Sequence, residues 1–213
     1  MKSLYIPAGS ALVLIGIALL IASFISVGKV QTWDRANDFA LESREPSHRL
    51  GMIMGILALA ALVTVLPVAV ARTFHSPGFY FTATGWVLFS FSVVAFSMVF
   101  GLTSIALPGL GNLSLKGEVV PQKIIDEFIR QPGIYIAFFG GNLMYIAWAL
   151  LGVGIIRSEV FMLWLGLFII IGGISGWLGF LHVPGFQIFG GKLWSASVIL
   201  LGGVIYYQGL QSP

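Results

Sequence analysis

Six long apolar segments without a single carboxylate make up most of this chain, and they limit what it can fold into. The segments cover residues 5–27, 50–71, 79–104, 134–156, 160–181 and 188–208. Each is long enough to cross the roughly 30 Å hydrocarbon core of a bilayer as a helix. Only 9% of the residues are charged, too few to cover a water-soluble domain. The sequence therefore predicts an all-α, polytopic membrane protein, a bundle of six transmembrane helices forming one domain over residues 1–213.

The two long connections are predicted to hold short interfacial helices. In the first, Val30, Trp33, Ala40 and Leu41 fit one face of a helix at the membrane surface, although a solvated loop is the alternative. The second contains an amphipathic stretch over residues 121–130, apolar on one side and charged on the others. That stretch is too short to span a bilayer, so we expect it to lie on the membrane surface or to cap the bundle.

Small side chains recur at seven-residue intervals within two of the segments. The positions are Ala83, Ser90, Ser97 and Ser104 in the third segment, and Gly140, Ala147 and Gly154 in the fourth. Small residues on one face let helices approach closely in lipid. The pattern predicts tight helix contacts, with a hydroxyl-lined polar pathway as the alternative for the serines.

The distribution of basic residues gives two conflicting indications of membrane orientation. Lys2, Arg72 and Arg157 lie on the side of the termini, and the other eight Lys and Arg residues lie on the opposite side. The bare count favours a cytoplasmic location for the opposite side. Its long connections, however, are nearly charge-balanced, whereas Arg72 and Arg157 lie in tight turns. We therefore predict that both termini are cytoplasmic.

Composition and motifs exclude several classes of function. The chain has no cysteine, which excludes disulfides, thiolate metal sites and cysteine nucleophiles. A net charge of +3 without any basic stripe makes nucleic acid an unsuitable partner. No metalloprotease, nucleophile-elbow or phosphate-loop motif is present in the sequence. These observations favour a protein that is not an enzyme.

Four residues are the candidates for contact with a ligand. Asn142 is the one side-chain amide well inside a segment, and a buried amide in lipid needs a partner, either another helix or a ligand. Tyr145 and Trp148 follow on the same side, where they either wall a pocket or simply pack. Lys192 lies about one turn inside the sixth segment, so it either extends to the membrane surface or binds a lipid phosphate or another anionic ligand.

Two histidines are the candidates for metal or haem binding. His48 begins the second segment and His182 ends the fifth. Both lie at odd-numbered connections and hence on the same side of the membrane. If those two segments are neighbours, the imidazoles can share a metal ion or a haem iron; the alternative is that both are ordinary interfacial residues.

The passage from the fourth to the fifth segment resembles a pattern in uncharacterised bacterial six-span membrane proteins. A Gly-rich helix ends in Arg-Ser and the next helix opens with Trp-Leu-Gly; the matching residues are Gly152, Gly154, Arg157, Ser158, Trp164, Leu165 and Gly166. The resemblance implies a six-helix fold and a location in a bacterial cytoplasmic membrane. It implies no catalytic activity.

Three functional hypotheses follow from the sequence. The first is a non-catalytic protein, either an accessory subunit of a membrane complex or a self-associating bundle that binds a lipid-like ligand. The second is a carrier or channel for a neutral or apolar solute, with a cavity lined by Asn142, Tyr145 and the serines of the third segment. The third is a redox subunit that holds haem or a metal at His48 and His182. The expected partners are membrane lipids and other membrane subunits or further copies of the chain.

Overall fold

The computed structural model describes residues 4–26, 45–116, 124, 127, 130–181 and 183–211. This part of the chain contains six long helices and no strand: α1 (Tyr5–Ser26), α2 (Pro46–Arg72), α3 (Phe79–Leu115), α4 (Pro132–Ser158), α5 (Leu163–Phe180) and α6 (Phe186–Gln211). All six are long and apolar enough to cross a membrane. The protein is an all-α, integral, multi-pass membrane protein, as the sequence predicts.

The ends of the helices follow local sequence signals. Pro46 and Pro132 each begin a helix, where the missing proline N–H costs nothing. α4 ends at Ser158, and the residue that follows, Glu159, adopts a left-handed conformation with φ of 58°. This backbone turn lets α5 begin after only four connecting residues, so α4 and α5 run antiparallel side by side.

The third helix differs most from its predicted bounds, since it continues to Leu115 rather than ending near residue 104. The helix continues through Pro108 without interruption. At 37 residues it is about 55 Å long, so its last turns extend beyond the membrane core. Most of the two predicted interfacial helices lies outside the described residues; Ile124, Glu127 and Arg130 are helical.

The six helices form a closed ring in chain order. Each helix packs against its neighbours in sequence, and α6 packs back against α1. Side chains from several helices fill the interior, among them Leu12, Leu62, Phe89, Trp148 and Val198, each with 0% of its surface exposed. The outward-facing positions are largely apolar too, as expected for a surface in contact with lipid.

Glycines bring four of these helix pairs into close contact. A Cβ added to Gly85 would lie 2.8 Å from the Ala147 carbonyl oxygen, and one added to Gly173 would lie 2.6 Å from that of Tyr145. A Cβ added to Gly172 would lie 2.7 Å from the Ser197 hydroxyl oxygen, and one added to Gly202 would lie 2.7 Å from Leu12 Cβ. These contacts join α3 to α4, α4 to α5, α5 to α6, and α6 to α1. Of the predicted small-residue faces, that of α4 makes such contacts through Ala147 and Gly154, whereas α3 uses Gly85 rather than its serine face.

Polar contacts close the side of the molecule that holds Tyr5, residues 73–78, residues 159–162 and Gln211, called here the terminal face. The Arg72 guanidinium donates through Nη2 to Gln208 Oε1 (3.2 Å) and lies 4.7 Å from the centre of the Tyr5 ring. Gln208 in turn donates to the Val160 carbonyl (3.3 Å). These contacts link α1, α2, α6 and the α4–α5 turn.

The α2–α3 pair is held together differently from the others, by a hydrogen bond at a proline. Pro67 lies inside α2 and has no N–H to donate to the carbonyl four residues earlier, that of Val63. The Trp86 indole of α3 donates to the Val63 oxygen instead, at 3.1 Å. A side chain of the next helix thus satisfies the backbone group that the proline leaves without its usual partner.

Candidate functional site

Two of the four predicted ligand-contacting residues, Tyr145 and Trp148, lie together in an aromatic cluster at the centre of the ring. The cluster consists of Phe89, Tyr145, Trp148 and Trp194, contributed by α3, α4 and α6. The Trp194 ring centre lies 5.7 Å from that of Tyr145, 5.8 Å from that of Trp148 and 6.4 Å from that of Phe89. Trp148 is fully buried, so its ring packs the bundle core.

The two tryptophans of the cluster differ in their hydrogen bonding. Trp148 Nε1 donates to the Ser197 hydroxyl (2.8 Å), which donates to the Trp194 carbonyl (2.6 Å). The Trp194 indole N–H is buried and has no hydrogen-bond partner in the described part of the chain. It is surrounded by aromatic rings, two of them at nearly right angles to it, and these can partly replace a hydrogen-bond acceptor.

Asn142, one helical turn before Tyr145, is buried with 3% of its surface exposed. Its amide nitrogen donates to the Phe138 carbonyl in its own helix, at 2.7 Å. One of the two amide N–H groups is therefore paired within α4.

Lys192 lies apart from the other three candidates. Its ammonium lies 4.2 Å from the centre of the Phe24 ring of α1 and 6.0 Å from that of Phe189. A cation over an aromatic face is stabilised without a carboxylate. The structure therefore brings Tyr145 and Trp148 together, places Asn142 beside them, and directs Lys192 towards α1.

The predicted metal site lies outside the described side chains. His182 is not among the described residues, and of His48 only the helical backbone is described. Among the described residues no group of three His, Asp or Glu side chains is arranged to hold a metal ion. The proposed pairing of the two histidines thus stays a prediction.

A groove between α2 and α3, not predicted from the sequence, lies at the lipid-facing surface. It has a volume of about 510 Å³ and is lined by Ala60, Val63, Ser90, Val93, Val94, Ser97 and Met98. No charged side chain lines it, and neither Asn142 nor Tyr145 does. The signal for it in the sequence is the recurrence of Ser90 and Ser97, the small side chains that leave the space.

The two serines of the groove are in different hydrogen-bonding states. The Ser90 hydroxyl donates to the Trp86 carbonyl in its own helix, at 2.8 Å. The Ser97 hydroxyl makes no hydrogen bond with any described residue. The groove therefore offers one available hydroxyl in an otherwise apolar lining.

The groove has a defined position in the membrane. Ser97 lies about 27 Å along α3 from Phe79 at the terminal face, a distance close to the roughly 30 Å thickness of the hydrocarbon core. Val63 and Ser90 lie near mid-depth, beside the Trp86–Val63 hydrogen bond. The groove thus runs from the middle of the bilayer towards the side opposite the terminal face.

Comparisons with known proteins identify no relative from which a site could be transferred. The chain matches no protein family model, no curated protein and no solved structure.

Proposed function

We propose that this chain is a non-catalytic membrane protein that binds a lipid-like molecule in the α2–α3 groove. The observation that carries the proposal is the groove itself, about 510 Å³ in volume, lined by small and apolar side chains. One side of the groove is α3, on which Phe91, Val94 and Met98 are more than 60% exposed. The groove therefore opens towards the hydrocarbon of the bilayer. A molecule that reaches it from the membrane must therefore be largely apolar.

The packing of the other helix pairs supports this function over that of an accessory subunit. An accessory subunit would use its small-residue faces to bind a partner helix. Here the glycine contacts of α3 with α4, and of α5 with α6, are made within the chain. The serine face of α3 is the one that stays partly open.

The centre of the ring supports ligand binding at the periphery rather than transport through the middle. A carrier for a neutral solute requires a path between the helices near the midplane. Phe89 and Trp148 are both fully buried, and Trp194 is 4% exposed. Their packing leaves the α2–α3 groove as the better location for a ligand.

Filling the groove tests the proposal. The protein is extracted from its own membrane in mild detergent and its bound molecules are weighed by native mass spectrometry. We expect the wild type to carry a lipid-sized mass above 22.9 kDa. Ala60→Phe places a ring in the groove and should reduce the bound fraction at least tenfold.

Ala71→Phe is the matched control. Ala71 is also an exposed alanine of α2, on nearly the same helix face three turns closer to the terminal face, and it does not line the groove. This variant should retain the lipid-sized mass. The proposal would be overturned if Ala60→Phe and Ala71→Phe retained equal amounts of lipid, or if the wild type carried no bound lipid. An excess mass that matches another protein subunit would also overturn it.

A further inference from the structure

We infer that the groove holds one acyl chain of an ester-linked glycerolipid, with the ester carbonyl at Ser97 and the chain directed towards Trp86. The inference rests on the proposed function and specifies its ligand. It follows from the width, the charge, the depth and the hydrogen-bonding groups of the groove.

The width of the groove fits a hydrocarbon chain better than a helix. From Ser90 to Met98 it extends about 12 Å along α3, so a volume of about 510 Å³ corresponds to a mean cross-section of about 40 Å². A helix 10 Å across has a cross-section of about 80 Å². An acyl chain is narrow enough to lie within the groove, whereas a partner helix would lie across its mouth.

The charge of the lining sets where the lipid headgroup lies. No Lys, Arg, Asp or Glu lines the groove, and a charged or zwitterionic group buried there would lose its hydration without a partner. The headgroup must therefore remain at the membrane surface, and only the uncharged part of the lipid enters.

The depth of Ser97 matches the ester groups of a bilayer lipid. Ser97 lies about 27 Å along α3 from the start of this helix at the terminal face, close to the opposite boundary of a hydrocarbon core roughly 30 Å thick. Ester carbonyls of the leaflet opposite the terminal face lie at this boundary. An ester carbonyl can only accept hydrogen bonds, and the available Ser97 hydroxyl can donate one to it.

The other end of the groove limits how far the chain extends. Val63 lines this end and accepts the hydrogen bond from Trp86. Ser90 bonds to the Trp86 carbonyl and so offers no donor. The apolar end of an acyl chain meets this uncharged end of the groove. The arrangement orients the lipid with its ester at Ser97 and its methyl end near mid-bilayer.

The test compares two lipids that differ only in whether their chains are attached through ester or ether linkages. The purified protein is equilibrated with an equimolar mixture of dioleoyl phosphatidylcholine and its di-O-oleyl ether analogue, and the retained lipids are counted by native mass spectrometry. The wild type should retain the ester lipid about fivefold over the ether lipid, the ratio expected of one hydrogen bond in a membrane protein. Ser97→Ala should bring the ratio close to one.

Ser90→Ala is the matched control because it removes the same hydroxyl from the same groove, but one already bonded within α3. It should keep the ester preference. No preference in the wild type, an undiminished preference in Ser97→Ala, or an equal loss in both variants would overturn the inference. If Ala60→Phe still removes both lipids in those cases, lipid binding in the groove stands and only the ester assignment fails.

Discussion

At the residue scale, the hydrogen bond between Trp86 and Val63 is the contact most specific to this sequence. Pro67 removes the donor that would normally reach the Val63 carbonyl, and the Trp86 indole supplies another from α3, at 3.1 Å. In hydrocarbon an unpaired peptide carbonyl is costly. The proline therefore makes α2 depend on α3 beside the groove.

A double-mutant cycle tests this dependence. Trp86→Phe should lower the free energy of unfolding by about 1–2 kcal/mol because it leaves the Val63 carbonyl unpaired. In a Pro67→Ala background the restored backbone N–H can bond to Val63 within α2, so Trp86→Phe should cost less than about half as much. Reversible denaturation in mixed micelles measures the cost of Trp86→Phe in the wild-type and Pro67→Ala backgrounds.

Trp164→Phe is the control for this cycle. Trp164 is 48% exposed and its indole N–H contacts the Met162 sulfur in the adjacent turn, so its loss should change stability by about 0.5 kcal/mol or less. An equal cost of Trp86→Phe in both backgrounds would show that the indole does not replace the donor lost at Pro67.

At the scale of the helices, glycine contacts determine which pairs close tightly. Gly154 of α4 lies against Thr82 of α3, so that an added Cβ would lie 2.5 Å from Thr82 Cγ2 and 2.6 Å from its backbone nitrogen. At Gly203 of α6 an added Cβ would meet no atom within 4 Å. Gly154 is therefore tightly packed against a neighbouring helix, whereas Gly203 has open space beside it.

Alanine substitutions at these two positions should therefore have opposite effects. Gly154→Ala forces α3 and α4 apart and should cost about 1–3 kcal/mol, which lowers the Tm by roughly 5 °C for a chain of this size. Gly203→Ala removes a flexible residue from a helix and should leave the Tm unchanged or raise it. Thermal unfolding in one detergent compares them, and a similar decrease in both would contradict the packing described.

The helices were predictable from the sequence because hydropathy and length alone determine them. The α1, α5 and α6 bounds lie within three residues of the predicted segments. The end of α3 was not predicted, since a proline such as Pro108 usually ends or kinks a helix, whereas α3 continues through it to Leu115. The groove was not identified either, because seven-residue spacing marks the serine face without showing that α2 stays away from it.

The roles of Tyr145 and Trp148 illustrate the same limit. Their spacing places both on one side of α4, which the sequence shows. Whether that side meets a ligand or the rings of Phe89 and Trp194 depends on how the ring of helices closes, and no local pattern contains that information.

At the scale of the whole molecule, the packing of α6 on α1 brings the start of α1 and the end of α6 together at the terminal face. Gly209 near the end of α6 lies against Tyr5 and Ile6, and Gln208 contacts both Arg72 and Val160. Arg157 lies at the same face, its guanidinium 5.0 Å from the centre of the Phe81 ring. The terminal face thus gathers the positive charges that the orientation argument places in the cytoplasm.

Cysteine labelling of intact cells tests that orientation, and the absence of native cysteine makes each introduced thiol unique. His75→Cys marks the terminal face and Arg49→Cys marks the start of α2 at the opposite face; both positions are exposed. With cytoplasmic termini, a membrane-impermeant maleimide should label Arg49→Cys on intact cells and His75→Cys only after the membrane is opened. The reverse pattern would place the termini outside and move the open end of the lipid groove to the cytoplasmic leaflet. Labelling of both positions on intact cells would contradict the passage of α2 across the membrane, on which the depth assigned to the groove depends.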